Sequence, residues 1–283
     1  MSITPNTLVA DLGSLPPISR VATQILRLTS DPDCSVSELQ RVIGSDQAIA
    51  AQILKIANSA TFGMMREVRT LSQAIMTLGL NTVKSVVVAS SAKDLYMRGA
   101  TTPFQMAIWE HSLVSALAGR AIAKIFRFPA YDEVFLGGLM HDIGKSVIFI
   151  KYPDVYGKIL KSVNDGQLDD GSQAEIDAFG FDHAMVGEAL SDAWNLPRTF
   201  SQCVRWHHNP GGAEPENIVL ASYVALGNLF ALEVGKGIGK PQSLVTPKAD
   251  ALEHTGITEE ALAAQREVVL DYLELDRVLI TGF

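Results

Sequence analysis

The chain has 283 residues, 47% of them hydrophobic, and a formal net charge of -8. That length supports one large domain or two modest ones, each with a proper core. The acidic balance argues against a broad phosphate-binding surface, so no nucleic-acid partner is expected, while a small anionic ligand at a local cation stays compatible with it.

Residues 1–17 contain no basic segment followed by an apolar one, and so do not read as a signal peptide. Helical periodicity then runs nearly throughout, and alternating strand patterns with hairpin dipeptides are hard to find. The expected fold class is all-α. Cys34 and Cys203 are the only cysteines and stand far apart. No disulfide framework follows from them, and a reducing cytoplasm is the natural compartment. Ser35 with Glu38, Thr70 with Gln73, and Thr102 with Gln105 fit the capping-box spacing of a helix start. Val86-Val87-Val88 is soon followed by Ser90-Ser91-Ala92-Lys93. No apolar run approaches the roughly 20 residues of a membrane helix, so no membrane partner is expected.

Arg98-Gly99-Ala100-Thr101-Thr102 breaks the pattern. It separates an N-terminal helical part, residues 1–100, from a second helical part, residues 101–235. Pro103 falls at the first position of a long helix near 103–126, where its missing N–H costs nothing. Asp132 precedes the next apolar run and is a candidate cap for it. A looser Gly/Pro stretch from Gly235 to Pro247 leads to a last amphipathic helix near 258–274, so residues 236–283 read as a linker with a terminal helix.

Five of the six histidines fall in the second part, together with a carboxylate. His111 lies within the apolar stripe Phe104, Ile108, Ser115, Ala118, Ile122, Ile125, and so faces the interior. His141, Asp142 and Lys145 share a helical face with Val134 and Gly138. Gly137 and Gly138 remove bulk one turn earlier and allow another helix to approach. His183 opens a stripe with Gly187, Leu190 and Trp194. His207 and His208 end a helix that starts near Pro197 and buries Phe200, Cys203 and Val204. Each feature alone has a plain structural explanation. A buried histidine is usually bonded to a carbonyl. The His141-Asp142 pair can mark a helix end with Gly144 near its C-cap and Lys145 at the negative end of the dipole. Together, five imidazoles and a carboxylate on inward faces of four helices point to a site for a divalent transition metal, iron, zinc or manganese, at one or two ions. Asp142 has two oxygens and can bridge two ions. Lys145 is placed to touch a phosphate as a point charge.

The ordered set His111, His141-Asp142, His183, His207-His208 resembles the HD superfamily of metal-dependent phosphohydrolases, and His141-Asp142-Ile143-Gly144-Lys145 matches the form of its HD-GYP branch. The N-terminal part resembles the HDOD domain. The carriers are Leu15-Pro16-Pro17-Ile18, Ser37-Glu38-Leu39 leading to Ile43-Gly44-Ser45-Asp46, Ala57-Asn58-Ser59-Ala60-Thr61-Phe62-Gly63, and Ala74-Ile75 with Leu78-Gly79. The resemblance covers roughly residues 12–235. It implies an all-helical bacterial signalling module, with an N-terminal helical subdomain packed on an HD-like one. It also implies His111, His141, Asp142, His183, His207 and His208 as metal ligands, Asp142 as the bridge, and Lys145 beside a substrate phosphate.

Three departures bear on activity. The final aspartate of the HD-GYP pattern is missing: no Asp occurs between Asp192 and Asp250, and Ser222 or Asn228 falls near its place. The Gly-Tyr-Pro loop that helps handle cyclic di-GMP is replaced by Asn209-Pro210-Gly211-Gly212-Ala213. Ala107 stands where some relatives carry a glutamate. The expectation is therefore a metal-binding signalling module with little or no turnover, acting on a signalling protein partner or a phosphate-containing small molecule. The alternatives are a working phosphohydrolase in which Asp142 and Lys145 carry the chemistry, and an iron-based redox or oxygen sensor.

Overall fold

The computed structural model describes residues 3–11, 20–28, 35–58, 67–97, 102–168, 171–194, 196–238 and 245–275. Among them there is no strand, and the fold is all-α. The helices are α1 Pro5–Ala10, α2 Arg20–Leu28, α3 Val36–Ile43, α4 Gln47–Ala57, α5 Leu71–Tyr96, α6 Pro103–Ile125, α7 Tyr131–Met140, α8 Ile143–Lys151, α9 Pro153–Asn164, α10 Gly171–Phe179, α11 His183–Ala193, α12 Arg198–Trp206, α13 Ile218–Glu233, α14 Val245–Thr255, α15 Glu259–Ala264 and α16 Arg266–Leu275. A 3-10 turn occupies Pro210–Gly212.

The chain divides into two compact units. One comprises residues 16–94 and 274–283, the other residues 1–15 and 95–273. The histidine-bearing unit thus also takes in α1, α14 and α15.

In the smaller unit, the expected starts are visible. Ser35 accepts the Glu38 N–H at the head of α3; Asp46, a cap not among those expected, accepts from Ala48 and Ile49 at the head of α4. Thr70 and Gln73 exchange bonds at the start of α5. Gly79 interrupts α5 with φ 76° and ψ 161°, a conformation natural only to glycine. Asn58 bonds both ways to the main chain of Val68, at 2.8 and 2.7 Å. Leu15 to Ile18, Ser59 to Gly63, Cys34 and Arg98 to Thr101 lie outside the described residues.

In the larger unit, α6 starts at a full Thr102–Gln105 capping box with Pro103 in its first turn. From Ile108 to Ala123 nearly every residue of α6 is buried, because α7 and α13 pack on it from different sides. α13 is apolar all round and also meets α14. α11 packs against α1, α8 and α12.

Three sequence expectations are corrected here. Asp132 does not cap α7, whose N-cap is Ala130; instead Asp132 is buried and pairs with Arg120 at 3.2 Å, because a carboxylate entering this core needs a cation. His141 and Asp142 do not share one continuous helix: α7 stops at Met140, His141 is its C-cap and Asp142 is the N-cap of α8. Gly144 therefore lies in the first turn of α8 rather than at a C-terminus. A Cβ there would run into the His183 carbonyl, so the glycine sets the approach of α11. The single helix expected near 258–274 breaks at Gln265 into α15 and α16.

Candidate metal centre

The middle of one helix and the ends of three others deliver the expected residues of the larger unit to one place. His111 comes from the middle of α6, His141 and Asp142 from the α7–α8 junction, His183 from the first residue of α11, and His207 with His208 from the end of α12. All but His208 are buried; His208 and Lys145 are the members that reach solvent.

Asp142 divides the group in two. Its Oδ2 lies 3.6 Å from His111 Nε2 and 3.4 Å from His141 Nε2, while its Oδ1 lies 3.3 Å from His183 Nε2 and 3.8 Å from His207 Nε2. His183 Nε2 is 3.4 Å from His207 Nε2 and 3.2 Å from His208 Nε2. Two sets result, His111–His141–Asp142 and His183–His207–His208, each with its ligand atoms within 4.8 Å of one another.

The outer hydrogen bonds fix the tautomers. His111 Nδ1 faces the Lys236 carbonyl at 2.8 Å, His141 Nδ1 the Gly138 carbonyl at 2.6 Å, and His207 Nδ1 the Val204 carbonyl at 2.8 Å. A carbonyl only accepts, so each Nδ1 carries the hydrogen and each neutral ring turns a bare Nε2 lone pair inward. His183 Nδ1 donates to Glu175 Oε2 at 2.7 Å. The lone pairs meet one another and the Asp142 carboxylate. His141 Nε2 and Asp142 Oδ1 have no hydrogen-bond partner among the described residues. Such a convergence of acceptors is costly by itself and is relieved by a cation. The donor set, imidazole with one shared carboxylate, suits zinc, iron or manganese.

Electrostatics agree with this picture. Burial pushes His141 down to about 3, against the pull of Asp142, and keeps the ring neutral. Burial likewise lowers His111, and lowers His207 further with help from the neighbouring rings. For Asp142, burial opposes the charge, but His141, Lys145, His183 and His111 outweigh it and hold the carboxyl well below its usual range. Burial also opposes a charge on His183, and the Glu175 carboxylate beside it wins, so His183 is raised.

Lys145 Nζ donates to Asp142 Oδ2 at 2.8 Å. Of the two candidates for the missing aspartate, Asn228 is the one at the site: its side chain lies near enough to His111 to raise that ring's proton affinity, whereas Ser222 donates to the Ile218 carbonyl within α13. The turn after α13 closes over the same ring. Gly237 has φ 134°, and a Cβ there would stand 2.6 Å from His111 Nδ1. The Asn209–Ala213 segment is tied elsewhere: Gly211 N–H donates to Asp250 of α14 at 2.9 Å, and Gly212 lies against the Trp206 ring. His254 pairs with Asp250 at 3.1 Å and belongs to neither set.

Sequence reasoning missed Glu175. It is buried, and its Oε1 accepts from Tyr156 at 2.7 Å. It stands eight residues before His183 on a separate helix, and no motif flags it.

Residues 15–210 match the family model of the HDOD domain. The fold is similar to an HDOD domain protein of Geobacter sulfurreducens, with a TM-score of 0.77 and 23% identity, over 97% of this chain and 95% of the other. It is also similar to a candidate phosphohydrolase of Shewanella amazonensis SB2B, with a TM-score of 0.72 and 24% identity, over 95% and 97% of the two chains. In sequence, the chain is 26% identical to an uncharacterized protein of Treponema pallidum (strain Nichols) over 78% of its own length, and that match spans 43% of the relative.

Proposed function

Because this chain belongs to the HDOD domain family, we propose that it is a metal-binding signalling module with little or no turnover. The observation that carries the proposal is the inward convergence of four imidazole Nε2 atoms on the two oxygens of Asp142. His111 and His141 with Asp142 would hold one cation, and His183, His207 and His208 with Asp142 a second. The ions would be iron, zinc or manganese.

Two features favour regulation over turnover. Asn228 stands beside His111, where an aspartate would add a charged ligand, so the first set is one anion short. The segment after His208 is bonded to α14 and is not available as a substrate-handling loop. The partner is then a signalling protein, or a phosphate-containing small molecule sensed at the centre, in the cytoplasm. No helix among the described residues is long and apolar enough to cross a membrane.

Lys145 favours a second reading, an active phosphohydrolase. A divalent cation in this centre would polarise a phosphoester and acidify water. Lys145 reaches solvent, and its ammonium is positioned to leave Asp142 partly and hold a phosphate oxygen. Asp142 stays ionised and keeps the imidazoles in register. The experiment is metal analysis of tag-free protein, followed by a turnover assay on cyclic di-GMP, mononucleotides and simple phosphoesters. Metal-free protein that folds normally and takes up no added metal overturns the proposal. Robust turnover abolished by Asp142→Ala replaces it with the second reading.

A further inference from the structure

The carboxylate of Glu175 is placed unlike the other groups that orient the rings. One oxygen, Oε2, accepts both the main-chain N–H and the ring Nδ1–H of His183, each at 2.7 Å. The other, Oε1, accepts the Tyr156 hydroxyl at 2.7 Å. The residue is 1% exposed. His111, His141 and His207 are held instead by neutral main-chain carbonyls.

A neutral glutamine could supply acceptors for His183, and its burial would cost far less than that of a carboxylate. The charge needs a counterpart. Lys145 acts on Glu175 only at longer range and is itself paired with Asp142. The nearest counterpart is the His183 ring, against which Oε2 lies at 2.7 Å, and a cation across that ring, where His183 Nε2 faces His207 and His208, would take up the same role. A carboxylate on Nδ1–H pushes electron density through the ring and makes the far lone pair a stronger donor to a cation.

We propose that Glu175 is a positioning residue that acts through His183 to strengthen cation binding at the His183–His207–His208 end of the centre. The inference rests on the metal-binding reading above. It adds an asymmetry: at one end of the centre a ring Nδ1 is bonded to a carboxylate, and at the other the Nδ1 atoms of His111 and His141 face main-chain carbonyls. Glu175 also fixes the His183 main chain, so the head of α11 and the ring are set by one atom.

The test is zinc and manganese affinity of tag-free, metal-stripped full-length protein, by competition with a chelator. Glu175→Gln keeps the size and the acceptor oxygen, and the Tyr156 hydroxyl can turn to accept from the amide. It is expected to bind about 10- to 100-fold more weakly, with metal-free melting close to wild type. Tyr156→Phe removes a hydrogen bond but leaves the charge on His183, and should bind like wild type. Wild-type affinity in Glu175→Gln overturns the proposal, and so does equal weakening in both variants, which would mark a packing effect. The wild-type protein gives an independent readout that needs no variant. Nitrogen NMR of metal-loaded, histidine-labelled protein should show His183 protonated at Nδ1 and metal-bound at Nε2; the opposite tautomer overturns the proposal. If wild type itself binds no cation, the metal-binding reading fails first and is identified as the failure.

Discussion

Asp142 lies against histidines of both sets, and the Nδ1 of His183 is bonded to a carboxylate where those of His111, His141 and His207 face carbonyls. Replacing either should strip metal far more than replacing His254, which pairs with Asp250 outside the centre. Elemental analysis of Asp142→Ala, His183→Ala and His254→Ala checks this, and equal metal in all three would mean the centre is drawn wrongly. The clustering of the histidines was legible because each sits in an apolar stripe or beside glycines that clear space. Their partners were not. Glu175 reaches His183 from another helix, and Lys236 reaches His111 from 125 residues away. Buried phenols set an alkaline limit at the same scale. Burial raises Tyr96 and Tyr156 well above 10.0. Above that pH the unfolded chain releases these protons and the folded chain keeps them, so stability falls as pH rises, by about 1.4 kcal/mol per unit for each tyrosine. Urea unfolding at pH 9 to 11 should show a shallower loss in Tyr96→Phe than in wild type.

At the scale of elements, the centre depends on helices that cross closely. A Cβ on Gly138 would stand 2.7 Å from the Ala116 Cα of α6. Gly138→Ala should therefore force α6 and α7 apart, costing about 1–3 kcal/mol and lowering metal content, since His111 and His141 ride on those helices. Gly157→Ala is the contrast: its nearest neighbour would be the Phe149 ring at 3.9 Å, an ordinary contact. A helical alanine there should be neutral or stabilising by about 0.4–1 kcal/mol. Urea melts of the two variants separate a close crossing from a general intolerance of alanine. Helix starts were readable because a cap is a local event: Ser35, Thr70 and Thr102 each bond within three residues. The α7–α8 junction was not readable, because local periodicity continues through His141. Just past the break, Gly144 lets α11 approach, since a Cβ there would meet the His183 carbonyl.

Across the whole molecule, the all-α class was visible in periodicity and in the resemblance, while the role of the C-terminal segment was not. The family match ends at residue 210. Yet Asn228 and Lys236, which lie beside His111, and Asp250, which ties down the Gly211 turn, all come later. Two predictions follow at this scale. Cyclic di-GMP hydrolysis by iron- or manganese-loaded protein should be absent or very slow, because that turn is bonded to α14 and no aspartate completes the first set. Gly237→Ala should lower metal content, because a Cβ there would stand 2.6 Å from His111 Nδ1 and push that ring off the Lys236 carbonyl; elemental analysis against wild type reads this. The 125-residue span between His111 and Lys236 also orders events during synthesis. At about 5–20 residues per second, a ribosome needs roughly 6–25 seconds to make the partner of a histidine it has already released. α1 waits longer still for α11, its packing partner in the same unit. Vectorial folding can thus raise helices one by one, but the histidine cluster closes only once Lys236 has been made, so the His111 ring stands without its final geometry for that whole interval.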